Sequence, residues 1–454
     1  MTDFHLKFFL YAFIWISILL SIGVPPHDIF KFGDSFVNSF NSIRIGFSLL
    51  ACITLITYYI LVNFKKKKTE VFKKKFAIFF LFLTYFIFQI IGLVLKNYSI
   101  KSLNLDNTYL VILGSGAIIT LFLIDQTKSK NLIRNTVYLT LFVICMAGLI
   151  LLFTHIKNSG FQHMNYFSLY NSVPPDKQIF INHELPRVTG ISRTLSILNI
   201  SLFCLFVFFK KNKYKYIFLT LNIVIGLIIF GFQSRGTILC YVSTITFFLL
   251  ISKKINLTNK IKFFFIICII PFILFESIRY LTLKTITPEL PFKYKPESSM
   301  NILIEKNRLL QDKSSSGRYN LWAQAIQNYD KKKLFGYGPQ ADRFLLNENL
   351  KKSFSDNVSN AYIYAFLCGG YFGLISFLLL VVGILILISK KIFKENLFDH
   401  SHMYIEKISL LFLIFFLIRS IFENSFAVFG IDFIMVIISI FILSYRTKNM
   451  SIER

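Results

Sequence analysis

The residues of this chain best suited to chemistry are arginines next to long apolar runs. Gln233-Ser234-Arg235-Gly236 joins two such runs in the tightest turn of the sequence. Nothing there needs a cation for solubility, and charge at membrane depth is costly unless it is paired or bound. Arg187 and Arg193 flank Thr189-Gly190 at the mouth of another run, and Arg318 opens an amphipathic stretch with Trp322 on the same face one turn later. Arg279 follows Glu276, and Arg419 precedes Glu423 at the i,i+4 spacing of a helical ion pair. Guanidinium forks bind phosphate oxygens bidentately and do not lose their charge. Arginines around a membrane-embedded pocket therefore suit a doubly charged pyrophosphate held at the lipid surface. Plainer readings stand beside this one: a structural ion pair for Arg419 with Glu423, and snorkelling to lipid phosphates for Arg279 or Arg235.

Other chemistry-bearing residues give less. His400 and His402 form an H-x-H pair without a neighbouring Cys or a second pair, which is a poor metal site. His183 beside Glu184 could transfer a proton or be a solvated loop residue. Phosphate loops, nucleotide fingerprints and zincin motifs are lacking, and Gly336-Tyr337-Gly338-Pro339 reads as a turn. No cofactor and no metal are expected.

The elements that position these residues follow from composition. The chain has 454 residues, of which 55% are hydrophobic, 16% charged and 54 Phe. A soluble protein of this length could not bury so much apolar surface, and runs of ~18 or more apolar residues recur throughout. The fold class is an all-α polytopic membrane protein. A cytosolic enzyme, a secreted disulfide scaffold and a disordered chain are excluded. About twelve transmembrane helices are read, at 6–24, 44–62, 76–95, 108–125, 135–154, 190–209, 216–232, 237–252, 263–280, 360–389, 405–422 and 431–445. The first could be a signal sequence, but its even apolar core followed by Pro25-Pro26 favours an uncleaved anchor. Cys52, Cys145, Cys204, Cys240, Cys268 and Cys368 all lie in apolar stretches and read as small buried hydrophobes.

The net charge of +27 would suggest nucleic acid in a soluble protein. Here it reports orientation, and no nucleic-acid partner is expected. With the N-terminus in the cytoplasm, more than half of the 50 basic residues fall in cytoplasmic loops, Lys65 to Lys68 and Lys73 to Lys75 among them. Both termini then face the cytoplasm. Two outer segments exceed mere connectors, 155–189 and 281–359, the latter a domain-like insertion between the ninth and tenth spans. The chain thus divides into a membrane bundle of spans one to nine (1–280), the loop domain (281–359) and a bundle of spans ten to twelve (360–454). Within the loop, 317–330 reads as a capped amphipathic helix. Leu321, Trp322, Ala325, Ile326 and Tyr329 share its apolar face, which could lie on the membrane surface with Trp322 at headgroup level.

Four stretches resemble the O-antigen polymerase and ligase family of bacterial inner-membrane glycosyltransferases. Gln233-Ser234-Arg235-Gly236 is similar to its Ser-Arg-Gly turn. Ser316-Gly317-Arg318 with Trp322, then Phe335-Gly336-Tyr337-Gly338, is similar to the family's block in the large periplasmic loop. Asn360 to Gly373 sits where the family has a His-Asn pair opening a Gly-bearing span, and Arg419, Glu423, Ser425 and Asp432 resemble a polymerase-like tail. The resemblance covers about 187 to 440.

The resemblance implies an activity at the periplasmic face. A glycan on undecaprenyl pyrophosphate is the donor, an acceptor sugar hydroxyl attacks the anomeric carbon, and the pyrophosphate departs without help from a metal. Arg235 and Arg318 would hold the pyrophosphate, with Arg187, Arg193, Trp322, Asn360 and Arg419 as substrate contacts. Here Ser359-Asn360 replaces the family's His-Asn. The proton of the acceptor would then pass to Asp356, Glu423, His183 or bulk water. The missing His and the Arg419-Glu423 pair favour a polymerase of lipid-linked repeat units over a ligase to lipid A core or protein. A flippase of lipid-linked oligosaccharides is the alternative from another class. Membrane lipids and a chain-length regulator are the expected partners.

Overall fold

A hydrocarbon solvent leaves a backbone little choice, because every amide must find its partner within the protein, and the long apolar runs accordingly coil into helices. The computed structural model describes residues 53, 77–95, 188–208, 212–232, 234–253, 255–277, 318–329, 334–339, 341–342, 358–394, 396–399, 404–427 and 431–444. Among these residues there are helices and no strands. They form α1 (Ala77–Val94), α2 (Val188–Phe208), α3 (Asn212–Gly231), α4 (Arg235–Ile251), α5 (Leu257–Phe264), α6 (Arg318–Gln327), α7 (Ala361–Ser389), α8 (Tyr404–Arg419) and α9 (Ile431–Ser444). The helical path of α5 widens into a π turn at Phe265–Ile269 and runs on to Ser277. Pro271, which has no N–H to donate, follows that turn directly.

Three stretches are long and apolar enough to cross a bilayer: Tyr214–Gly231, Leu257–Ser277 and Ala361–Lys394. Phe80–Val94, Ser192–Phe208 and Arg235–Ile251 are shorter apolar helices. The protein is a helical membrane protein. Expected spans 6–24, 108–125 and 135–154, and all of 44–62 except Ile53, lie outside the described residues, as does most of the 281–359 insertion.

Helix α1 lies along α7, α2 packs on α3 and α8, and α8 packs on α4 and α9. The core between them is largely aromatic: Phe82, Phe203, Phe248, Phe377, Phe415 and Phe416 are fully buried. The outward side of α7 is apolar as well, with Ile375, Leu378, Leu379, Val382, Leu385 and Ile386 exposed, as a helix facing lipid requires. Cys204, Cys240, Cys268 and Cys368 are buried free thiols, in keeping with their apolar sequence context.

Helix α7 is broken once. Gly370 has φ 67 and ψ −158, and the loop at 334–339 docks into the break, Tyr337 N donating to Leu367 O (3.0 Å) and Gly338 N to Cys368 O (2.8 Å). The Gly-Tyr-Gly segment is thus a docking element rather than a simple turn. Helix α6 differs from expectation in its partner. Ala325 and Tyr329 are buried in a cluster with Tyr364, Leu367 and Cys368 of α7, and Leu321 and Trp322 pack against that cluster. Its apolar face covers protein rather than lipid headgroups. Ile326, expected on that face, is exposed.

Candidate active site

The N-terminal ends of α2, α4, α7 and α9 and the C-terminal end of α8 carry the polar residues of interest, and their contacts join them at one end of the bundle. Arg419 is the last residue of α8 and Asp432 lies in the first turn of α9. A cation suits a helix C-terminus and an anion an N-terminus, so both side chains sit where the helix dipoles favour them. They form a direct ion pair, and Arg419 Nη1 also donates to Ser425 Oγ at 3.0 Å. Arg193, one turn into α2, reaches the same carboxylate, its Nη1 lying 3.1 Å from Asp432 Oδ1. Asp432 is 2% exposed and Arg419 5%, so one buried carboxylate holds two guanidiniums. Arg419 therefore does not pair with Glu423. The Glu423 N–H still donates to the Arg419 carbonyl (2.8 Å), but the Arg419 guanidinium is taken up by Asp432 and Ser425 and the Glu423 carboxylate by Arg318.

Glu423 instead meets Arg318. Arg318 Nη2 lies 3.0 Å from Glu423 Oε1, and Nη1 donates to the carbonyl of Phe422. The pair remains partly open, Arg318 being 28% and Glu423 17% exposed. The Ser-Arg-Gly turn abuts it: a Cβ built on Gly236 would stand 4.0 Å from Arg318 Nη1. Adjacent Cα atoms are about 3.8 Å apart, so the backbone of Arg235 lies within about 10 Å of the Arg318 guanidinium. Arg235 is half-buried as the first residue of α4, and Arg318 is the first residue of α6. The helix dipole disfavours a cation at both places and favours an anion. Ser234 does not cap α4 with its side chain; its hydroxyl donates to Thr237 Oγ1 at 3.1 Å. The Arg318 guanidinium, the backbone of Arg235 and an N-terminus without a side-chain cap thus lie near one another.

Asn360 caps α7. Its Oδ1 accepts from Tyr362 N (2.9 Å) and Ile363 N (3.1 Å), its Nδ2 donates to Ile421 O (2.9 Å), and its own N–H donates to Asn424 Oδ1 (2.8 Å). The amide is fully engaged in bracing the start of α7 against the segment after α8. Ser359, just before it, has a left-handed φ of 46, an unusual conformation for a residue with a Cβ. Trp322 Nε1 donates to Val358 O, so the indole ties α6 to the same region. Asp342 completes the brace, its Oδ2 accepting from Val358 N (3.2 Å) and Asn424 Nδ2 (3.3 Å).

Of the expected site residues, the structure brings Arg318 and Glu423 together with the Arg235 backbone nearby and places Arg193 and Arg419 on Asp432, with Asn360 and Trp322 in the surrounding framework. Arg187 and Asp356 lie outside the described residues, as do His183 and Arg279. Asp432 was read only as part of a motif and Asp342 was given no role. A signal for Asp432 did exist. Two arginines at membrane depth require a carboxylate, and Asp432 is the acidic residue at the start of the last apolar run.

Residues 220–378 match the family model described as O-antigen ligase. No curated protein matches the chain. The matched segment contains Arg235, Arg318, Trp322 and Asn360, whereas Arg193, Arg419, Glu423 and Asp432 come from beyond its ends. Members of that family are glycosyltransferase-like enzymes. The match, falling on the segment that holds the Ser-Arg-Gly turn and the start of α6, supports the O-antigen polymerase and ligase family for this chain.

Proposed function

We propose that the protein polymerises lipid-linked oligosaccharide repeat units, of O-antigen, capsule or exopolysaccharide, at the periplasmic face of the bacterial inner membrane. The donor is a glycan on undecaprenyl pyrophosphate. The acceptor hydroxyl oxygen bonds to the anomeric carbon as the bond from that carbon to the phosphate oxygen breaks. The diphosphate leaves with the electron pair, and the hydroxyl proton passes to a base. The observation that carries this reading is the approach of the Arg318 guanidinium to the Ser-Arg-Gly turn at the start of α4, with Gly236 against it. Fixed cations aimed at charge growing on a leaving diphosphate lower the barrier, because the low-dielectric surroundings strengthen them and they need no rearrangement during reaction.

In this reading Glu423 holds Arg318 in place through its ion pair, and the acceptor proton passes to Asp356. Arg193 and Arg419 are substrate contacts held in place by their shared partner Asp432. Arg187 precedes α2 in sequence and supplies a further phosphate contact. Trp322 and Asn360 set the position of α6 and α7 around the donor. Both termini lie in the cytoplasm, a chain-length regulator binds the assembled enzyme, and no metal or other cofactor takes part.

The test is replacement of Arg235 by Ala in the host, with surface glycan resolved by size at matched protein level. Loss of the long-chain ladder with retention of single repeat units is expected, and an unaltered ladder sinks the reading. The description of the matching family model favours a second reading, transfer of finished polymer to lipid A core or protein. Under that reading deletion leaves long polymer on the lipid carrier, whereas loss of a polymerase leaves single units there.

A further inference from the structure

Three backbones cross beside the candidate site with no room for a side chain between them. A Cβ on Gly92, near the end of α1, would meet the carbonyl of Phe335, and would lie 2.8 Å from Cys368 O and 2.9 Å from Gly338 N. Gly336, Gly338 and Gly370 all have left-handed φ, at 69, 87 and 67. A Cβ on Gly336 would stand 2.5 Å from Gly370 N, and one on Gly338 2.8 Å from the Cα of Leu93. The atoms in the way are backbone on both sides, so any added carbon forces chain segments apart by about 0.5–1 Å to reach an ordinary carbon–oxygen approach. The break at Gly370 turns the carbonyls of Leu367 and Cys368 toward the loop, where Tyr337 and Gly338 donate to them. Beside the crossing the Phe335 ring stacks on Phe88 of α1 and Phe372 of α7, at 6.3 and 5.2 Å between centroids.

The loop held in this way follows α6 after only a short stretch of chain. The ring of Tyr329, two residues past α6, stands edge-on to Tyr337 of the loop at 5.5 Å, and both belong to the cluster that seats α6 on α7. The opposite end of α6 is Arg318. We infer that the crossing is a positioning device for Arg318, with Gly92 its determinant on α1: by fixing loop 334–339 against the break in α7, it sets α6 at the register that keeps the Arg318 guanidinium at the start of α4. Glycine weakens a helix interior relative to alanine, so Gly92 is a poor choice for α1 by itself and is required by what passes over it. The catalytic part of this inference rests on Arg318 meeting the donor diphosphate.

The experiment uses the purified full-length protein with Trp15→Phe, which leaves Trp322 as the remaining one of two tryptophans. Gly92→Ala is expected to move Trp322 emission to the red and open it to an aqueous quencher, because α6 loosens from Val358. Turnover of lipid-linked donor should fall on the order of 10²-fold, in kcat with KM for the donor little changed. In an Arg318→Ala background the same substitution should cost nothing further, since residues acting as one unit are not additive. An unchanged Trp322 emission, or an equal fold-loss in both backgrounds, overturns the inference. Should Gly92→Ala fail to accumulate, Phe335→Leu unstacks the same loop from its side chain and must give the same pattern of emission and coupling. An Arg318→Ala protein of undiminished rate removes the proposed role of Arg318 and the catalytic half of the inference with it. The Trp322 emission decides separately whether the crossing holds α6.

Discussion

Two sets of arginines occupy the same end of the bundle, and their surroundings differ. In the inner set Arg419 and Asp432 are buried and sit at the helix ends that favour their charges, and the half-buried Arg193 shares the carboxylate. The outer set, Arg235 and Arg318, is partly open, and both members open helices at the end that disfavours them. Identical side chains therefore have opposite relations to the fold. The inner set is held on a carboxylate within the fold, and the outer set places its cations at helix starts, where the dipoles favour an anion.

The comparison breaks most severely at Asp432. Asp432→Ala leaves the buried Arg419 and the half-buried Arg193 without their shared carboxylate, and a loss of about 3–5 kcal/mol is expected, seen as a lower unfolding transition in detergent and less protein in the membrane. By contrast Arg318→Ala should shift stability by less than ~1 kcal/mol, since the pair it breaks is partly exposed. Equal unfolding transitions for these two variants would erase the distinction between the sets. A subtler probe is Glu423→Gln, which keeps Arg318 charged but removes its ionic partner. Loosening the guanidinium should slow transfer by roughly 10- to 10²-fold with stability nearly unchanged, measured as kcat on lipid-linked donor. A smaller loss of stability than at Asp432 is expected in the framework. Asn360→Ala removes the cap of α7 and should cost about 1–2 kcal/mol in the unfolding transition.

The helices were legible in the sequence because bilayer crossing imposes a length and an apolar composition that no local alternative satisfies. Residues 190–209 and 360–389 read as spans and correspond to α2 and α7. The start of α6 was legible too, from its serines and its 3.6-residue periodicity. Its partner was not, because one apolar face fits a membrane surface and a neighbouring helix equally well, and only the packing of Ala325 and Tyr329 on α7 decides between them. Arg419 shows where a spacing rule stops. The i,i+4 backbone bond from Glu423 to Arg419 is kept, yet each side chain takes a partner from elsewhere in the fold, Asp432 for Arg419 and Arg318 for Glu423. The crossing at Gly92 was hidden for a different reason. It joins a glycine of α1 to a loop and a helix break far along the chain, and no periodicity within any one segment carries that contact.

The most direct measurement is single-turnover transfer from a polyprenyl pyrophosphate-linked glycan by purified parent, Arg235→Ala and Arg318→Ala proteins with matched unfolding transitions. A loss on the order of 10²–10³ in the rate of the chemical step is expected for each variant. Transfer at the parental rate by either folded variant would contradict the role assigned to that guanidinium in drawing away the diphosphate.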